Sequence, residues 1–178
     1  MPKQRKIYLA GSLFSLREIW GNAVTRDAVN LAGKYQIHAP QDFLKGGTPK
    51  SLRDQCIKNL LACDGVIVQF DGTELDSGTV VEFVLAKMAG IPCVALRSDL
   101  RVAGDQNGGD PWNLMCSFWP NVVTLKLDAA ALVRAMGINE AKGELGAQIT
   151  VALDSAFASR RVKAIDKKNL LRLAGVGK

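Results

Sequence analysis

Short apolar runs alternate along the chain with longer stretches of helical spacing. Residues 6–10 (KIYLA), 65–70 (GVIVQF), 91–96 and 121–127 read as strands, and residues 35–39 (YQIHA), stopped by Pro40, as a weaker one. These runs are apolar throughout rather than alternating, which predicts parallel strands covered on both faces. Residues 15–33 place Leu16, Ile19, Trp20, Ala23, Val24 and Ala28 on one helical stripe, with Gly33 positioned to end it. Residues 51–63 put Leu52, Cys56, Leu60 and Cys63 on one face, and residues 79–89 form a helix ended by Gly90. Residues 128–136 and 138–157 are further helix candidates, while residues 41–49, 71–78 and 98–110 read as polar or Gly-rich loops.

This β–α alternation predicts an α/β fold: a doubly wound five-stranded parallel sheet, flavodoxin- or Rossmann-like, with a C-terminal helical extension. The expected division is an α/β catalytic domain over residues 1–137 and an extension with a basic tail over residues 138–178, the core ending near Leu127. In such sheets ligands bind beyond the carboxyl ends of the strands. That rule selects residues 11–16, 41–47, 71–77 and 98–110.

Composition narrows the chemistry. The 178 residues carry a formal charge of +6. Residues 158–178 hold seven of the 23 basic side chains (Arg160, Arg161, Lys163, Lys167, Lys168, Arg172 and Lys178) and only Asp166 of the 17 acidic ones, leaving 16 of each sign in residues 1–157. The excess therefore belongs to the tail, whose Val162, Ile165, Leu170, Leu171 and Leu173 suggest an amphipathic helix. A neutral body argues against nucleic acid as a partner. Cys56, Cys63, Cys93 and Cys116 form no CxxC pair and sit in apolar contexts, which suits reduced thiols and a cytoplasmic protein. One histidine, His38, excludes a His-rich metal site, and nothing demands a metal or an organic cofactor. No apolar run approaches the ~20 residues that a bilayer requires, and the N-terminus lacks the apolar core of a signal peptide.

The densest polar stretch is residues 71–82, DGTELDSGTVVE, after the clearest strand and leading into a helix. Asp76 or Ser77 can cap that helix. Glu82 then falls in or near its first turn, where the helix dipole favours the ionised form. A fixed, partly desolvated carboxylate is what covalent catalysis at a sugar carbon requires; on spacing alone Glu82 is equally an ordinary surface or capping acid.

The chain resembles the nucleoside 2-deoxyribosyltransferase family, which also contains deoxynucleoside monophosphate N-glycosidases. The resemblance rests on KIYLAGS, on ACDGVIV leading to DSGTVVEFVLA, and on PWNLM, over roughly residues 5–127. It implies that Glu82 attacks the anomeric carbon of a 2′-deoxynucleoside, that Tyr8 positions it, and that Asp76 binds the sugar 5′-hydroxyl. It further implies a homo-oligomer in which Asn113, with Met115 nearby, reaches a neighbour's site. Gly11, Ser12, Ser77 and Gly78 complete the expected substrate contacts. Asn113 and Met115 equally suit the cap and packing of a short helix.

Two positions depart from the family's pattern. Cys56 stands where an Asp or Asn is usual, with Asp54 and Asn59 nearby, and reads as a packing residue. Phe43 replaces an Asn after Asp42; Phe43 can stack on a base while Gln41 and Asp42 bond its edge. A 5′-phosphate could sit on Ser12, Ser15, Arg17, Ser77 and Ser98, but Asp76 would repel it, so a free nucleoside is the first expectation. The expected reaction is transfer of deoxyribose to another nucleobase. The alternatives are hydrolysis of deoxynucleosides or nucleoside 5′-monophosphates, and a non-catalytic nucleotide-binding module.

Overall fold

The apolar runs become the strands of one sheet. The computed structural model describes residues 4–159 and 162–176. Strands β1 (Arg5–Ala10), β2 (Tyr35–His38), β3 (Gly65–Gln69), β4 (Cys93–Arg97) and β5 (Val122–Lys126) lie in the order β2-β1-β3-β4-β5, every adjacent pair parallel. The helices are α1 (Leu16–Leu31), α2 (Pro40–Phe43), α3 (Pro49–Ala62), α4 (Ser77–Met88), α5 (Ala129–Ala158) and α6 (Lys167–Leu173), with a 3-10 turn at Leu114–Cys116. This is the expected doubly wound α/β sheet. The winding reverses between β1 and β3, so the carboxyl ends of those two strands flank the crevice where such folds place ligands.

Alternate residues of each strand feed two cores. Ile7, Leu9, Ile67, Val94 and Leu96 pack beneath α1 and α5, against Val29, Ile149 and Leu153. Tyr8, Ala10, Val66, Val68 and Ala95 pack beneath α3 and α4, against Ile57, Leu60, Phe83 and Ala86. Apolar surface buried on both faces is why these strands carry no polar alternation.

Helix α1 runs where expected but turns a different face inward. Its buried residues are Asn22, Thr25, Ala28 and Val29, while Leu16, Ile19, Trp20 and Val24 are exposed. Its entry is fixed by a capping box between Ser15 and Glu18. Its first turns lie over loops beyond the sheet, where Asn22 Nδ2 donates to Ser12 O at 3.0 Å and Gln69 Nε2 to Thr25 Oγ1 at 3.3 Å. Polar partners thus set the phase, not the apolar stripe. Residues 41–49 are not all loop, because Pro40 at the first helical position starts the single turn of α2.

The buried surface continues past Leu127. Residues 128–136 and 138–157 form one helical run broken at Gly137, whose φ of 80° is open to glycine. The second half of α5 crosses α1 closely, and a Cβ on Gly146 would stand 2.2 Å from the Ala28 carbonyl oxygen. The tail docks on the body: Leu170 and Val176 are buried in the α3–α4 core, and Arg53 Nη2 donates to Ala174 O at 3.1 Å. Ile165 N also donates to Met88 O at 2.8 Å. Of the basic tail, Arg160, Arg161 and Lys178 lie outside the described residues. No helix of the described residues is long and apolar enough to cross a membrane.

The α1–α5 crossing makes a paired prediction. Gly146→Ala forces the helices apart and costs about 1–3 kcal/mol. Gly143→Ala, with no heavy atom within 4 Å of its added Cβ, stabilises by about 0.5–1 kcal/mol through helix propensity. Thermal unfolding of both variants beside the parent checks the opposite signs.

Candidate active site

Glu82 meets Tyr8 across the crevice. Asp76 caps α4: its Oδ2 accepts from Thr79 N at 2.7 Å and from Thr79 Oγ1 at 2.8 Å. Counting from that cap places Glu82 in the second turn, over the α3–α4 face of the sheet. The hydroxyl of Tyr8, a fully buried side chain on β1, donates to Glu82 Oε1 at 2.6 Å. Gln69, at the end of β3, stands with its Oε1 against Gly11: a Cβ there would come within 2.6 Å of that oxygen. A larger residue just after β1 would therefore displace the Gln69 side chain.

The ionisation of Glu82 differs from the expectation based on the dipole alone. Burial raises its carboxyl to about 7; the Tyr8 hydrogen bond works against that rise, and the nearby Asp76 charge adds to it. The dipole effect fades beyond the first turn, so desolvation dominates in the second. Burial and the facing Glu82 carboxylate push the Tyr8 phenol far above its ordinary value, so Tyr8 remains a donor at every working pH.

The three candidates on α3 separate clearly. Asp54 is held by Lys50 at 3.0 Å and Arg53 at 2.6 Å, and these partners keep its carboxyl below the ordinary value. Asn59 Nδ2 donates to Gln55 O. Cys56 is the one close enough to Tyr8 and Glu82 to influence their ionisation, and burial followed by the Glu82 charge pushes its thiol up, so that it stays neutral. Cys56 is therefore half-buried beside the Tyr8–Glu82 pair, more than a remote packing residue.

The residues after β2 are partly committed elsewhere. Phe43 packs against Tyr8, with ring centroids 6.0 Å apart and planes tilted by 44°. Asp42 forms an ion pair with Arg26. Gln41 Nε2 donates to Ile19 O at 3.0 Å, and its buried Oε1 has no partner. His38, which the sequence reading used only to exclude metal, is the register partner of Tyr8 and so shares its face of the sheet. Burial and Lys6 hold its ring below the ordinary value, hence neutral near pH 7, and its Nε2 is buried without a partner. The readable signal was a polar residue at the carboxyl end of a strand.

Two cavities flank α4, and Glu82 lines neither. One of about 390 Å³ brings together Ser12, Arg17, Gln69, Asp71, Asp76, Ser98 and Arg101. Its walls are braced: Asp71 accepts from Ser98 N, Ser98 Oγ and Asp99 N at 2.6–2.9 Å, and Asp99 accepts from Gly72 N and pairs with Arg101. Arg101 first, then backbone donors, hold the Asp99 carboxyl well below the ordinary range. The other cavity, about 680 Å³, is lined by Ser77, Asn113 and Met115 among others. Asn113 caps the 3-10 turn, its Oδ1 accepting from Met115 N at 2.9 Å, and is not among the groups gathered around Glu82. Leu114, Met115 and Phe118 beside it are exposed. Gly78 lies in the first turn of α4, where a Cβ would stand 3.1 Å from Asp76 Oδ2. Among the described residues no cluster of three or more His, Cys, Asp or Glu is placed to hold a metal ion.

Comparison with known proteins adds a family. Residues 7–115 match the family described as nucleoside 2-deoxyribosyltransferase. Among solved structures, a conserved protein from Enterococcus faecalis is 25% identical with a TM-score of 0.52, covering 96% of each chain. The 2-deoxyribosyltransferases of Leishmania mexicana (24% identity) and Bacillus psychrosaccharolyticus (14%) each superpose with a TM-score of 0.55. They cover 73% and 76% of this chain and 95% of their own. These last two likenesses speak for the fold. No curated protein matches the sequence.

The raised carboxyl predicts a pH-dependent stability. With the folded value near 7 and the ordinary one at 4.5, the unfolded chain ionises first, so stability is lost as pH rises between them. Glu82→Gln escapes that loss. Its stability should match the parent's near pH 4 and exceed it above pH 7, by on the order of 3 kcal/mol, with a correspondingly higher melting temperature. Melting curves across pH 4–8 check this; a difference independent of pH contradicts it.

Proposed function

The chain belongs to the nucleoside 2-deoxyribosyltransferase family, and from that premise we propose that it cleaves the N-glycosidic bond of 2′-deoxynucleosides and transfers the deoxyribose to another nucleobase. The observation that carries the reading is the Tyr8–Glu82 hydrogen bond at the β1–β3 crevice. A carboxylate kept half out of water costs stability, and such perturbed carboxyls cluster at functional sites.

The proposed steps use the groups around Glu82. Tyr8 occupies Oε1 and leaves Oε2 of Glu82 to attack the anomeric carbon. The C1′–N bond breaks as the Glu82 oxygen bonds to C1′, and the departing base takes the electron pair and a proton from solvent. The missing 2′-hydroxyl makes the oxocarbenium-like transition state easier to reach, and the Glu82 charge stabilises it. A nitrogen of the incoming base then attacks C1′, displaces the carboxylate and loses a proton. Asp76, facing the same end of the sheet, receives the sugar 5′-hydroxyl. Phe43, Gln41 and Asp42 lie toward the base, with His38 beside them, while Gly11, Ser12, Ser77 and Gly78 shape the surrounding walls.

A free nucleoside is favoured over a 5′-monophosphate. Ser12, Arg17 and Ser98 share a cavity with Asp71, Asp76 and Asp99, and Arg101 there is paired with Asp99. Hydrolysis is the same first step with water in place of the acceptor base. Asn113 stands apart from Glu82 within one chain, among exposed apolar side chains, which suits delivery to a neighbour's site in a homo-oligomer. A purely binding module has no use for a carboxyl poised near neutrality.

The test is base exchange between deoxyinosine and free adenine. The parent should form deoxyadenosine, and Glu82→Ala should lose activity about 10³-fold or more. Undiminished exchange in that variant overturns the reading. Base release without adenine, equal to that with it, makes the enzyme a hydrolase instead.

A further inference from the structure

A second set of buried donors lies beside the larger cavity flanking α4. Arg97, the last residue of β4, and Trp112 both line that space of about 680 Å³, and each is 2% exposed. Arg97 has no carboxylate partner among the described ion pairs. Its Nη1 donates to Phe70 O and its Nη2 to Arg101 O at 2.9 Å, while its Nε has no acceptor. The indole Nε1 of Trp112 is also buried without an acceptor. A guanidinium taken out of water without a counter-charge is costly, and buried donors are satisfied in the great majority of native structures. Two residues that line one cavity each keep a donor buried without an acceptor, which calls for a shared acceptor once the cavity opens onto them.

The surroundings define its sign and size. Ser77 and Val80 bring the first turn of α4 to the cavity, adding the positive end of that helix. The two acids on the lining, Glu74 and Asp105, are exposed, and Asp105 Oδ1 is taken by Leu114 N at 2.7 Å. Neither pairs with Arg97. The volume falls within the ~300–1,000 Å³ of small-molecule sites and exceeds what a bare ion fills.

We propose that this cavity is an oxyanion subsite, in which a phosphate or carboxylate group of a small molecule accepts hydrogen bonds from Arg97 and Trp112. The oxyanion replaces the bond from Arg97 Nη2 to Arg101 O, so that a contact between opposite charges displaces one from a cation to a neutral carbonyl. The loop beyond the anchored Ser98 and Asp99, over residues 100–110 and tethered to Arg97 by that bond, is the cover through which the ligand enters. Glu82 does not line this subsite, although Ser77 borders both it and the proposed catalytic site, and its occupation is measurable without turnover.

The experiment follows the indole N–H resonances of the full chain while inorganic phosphate and, separately, acetate are added at ionic strength held constant with chloride. Trp112→Phe and Trp119→Phe assign the signals. The Trp112 resonance should move saturably with one or both anions while those of Trp20 and Trp119, the latter already donating to Met115 O, stay in place. Response to phosphate alone, acetate alone or both identifies the recognised group. Calorimetry should show binding weakened about tenfold in Trp112→Phe, which keeps an aromatic ring against Phe70, and at least as much in Arg97→Lys. The proposal is overturned if Trp112 moves no further than in chloride, if all three indoles move together, or if Trp112→Phe binds as the parent does.

Discussion

One hydrogen bond, from the Tyr8 hydroxyl to Glu82 Oε1, ties the first strand to the helix that follows the third. It exists because β1 and β3 are neighbours in space though not in sequence, which lets α4 lie over a residue of β1. Burial keeps the carboxyl near neutrality, and the phenol limits how far burial can push it. Too little burial would leave a solvated, unreactive acid; burial without the phenol would leave a permanently protonated one. The packing of Phe83, Ile57 and Leu60 around Tyr8 serves this balance as well as stability.

The remaining acids near the crevice are largely structural. Asp42 holds Arg26, Asp54 holds Lys50 and Arg53, and Asp71 and Asp99 lock the loops after β3 and β4 to each other. Asp76 is shared between capping α4 and facing a cavity. A polar, loop-rich rim thereby becomes rigid without metal or disulfide among its described members, and the single raised carboxyl stands out against a background of lowered or occupied ones.

Much of this was readable beforehand, and the reasons for the remainder are physical. Strands buried on both faces announce themselves as apolar runs, so the sheet and its parallel sense were legible. The stretch DSGTVVE made Asp76 and Glu82 candidates and the family resemblance added Tyr8; the structure brings Tyr8 and Glu82 into contact. The phase of α1 was not legible, because Asn22 and Thr25 are buried for hydrogen bonds that only the folded loops supply. The ionisation of Glu82 followed from depth, which sequence spacing does not encode. That His38, Arg97 and Trp112 each keep a buried unpartnered atom was not legible, because such an atom becomes visible only once its neighbours are in place. The docking of the tail on α3 and α4 likewise depends on complementary surfaces, and it turns an apparent charged appendage into part of the core.

The central claim is that Glu82 forms a covalent bond to the sugar. The most direct measurement is rapid acid quenching of the full chain during turnover of deoxyinosine, followed by peptide mass spectrometry. The account predicts a deoxyribosyl adduct on the peptide carrying Glu82 that disappears when adenine is added before the quench. An adduct on another residue, or base exchange at full rate in a Glu82→Gln variant with no adduct, would contradict it.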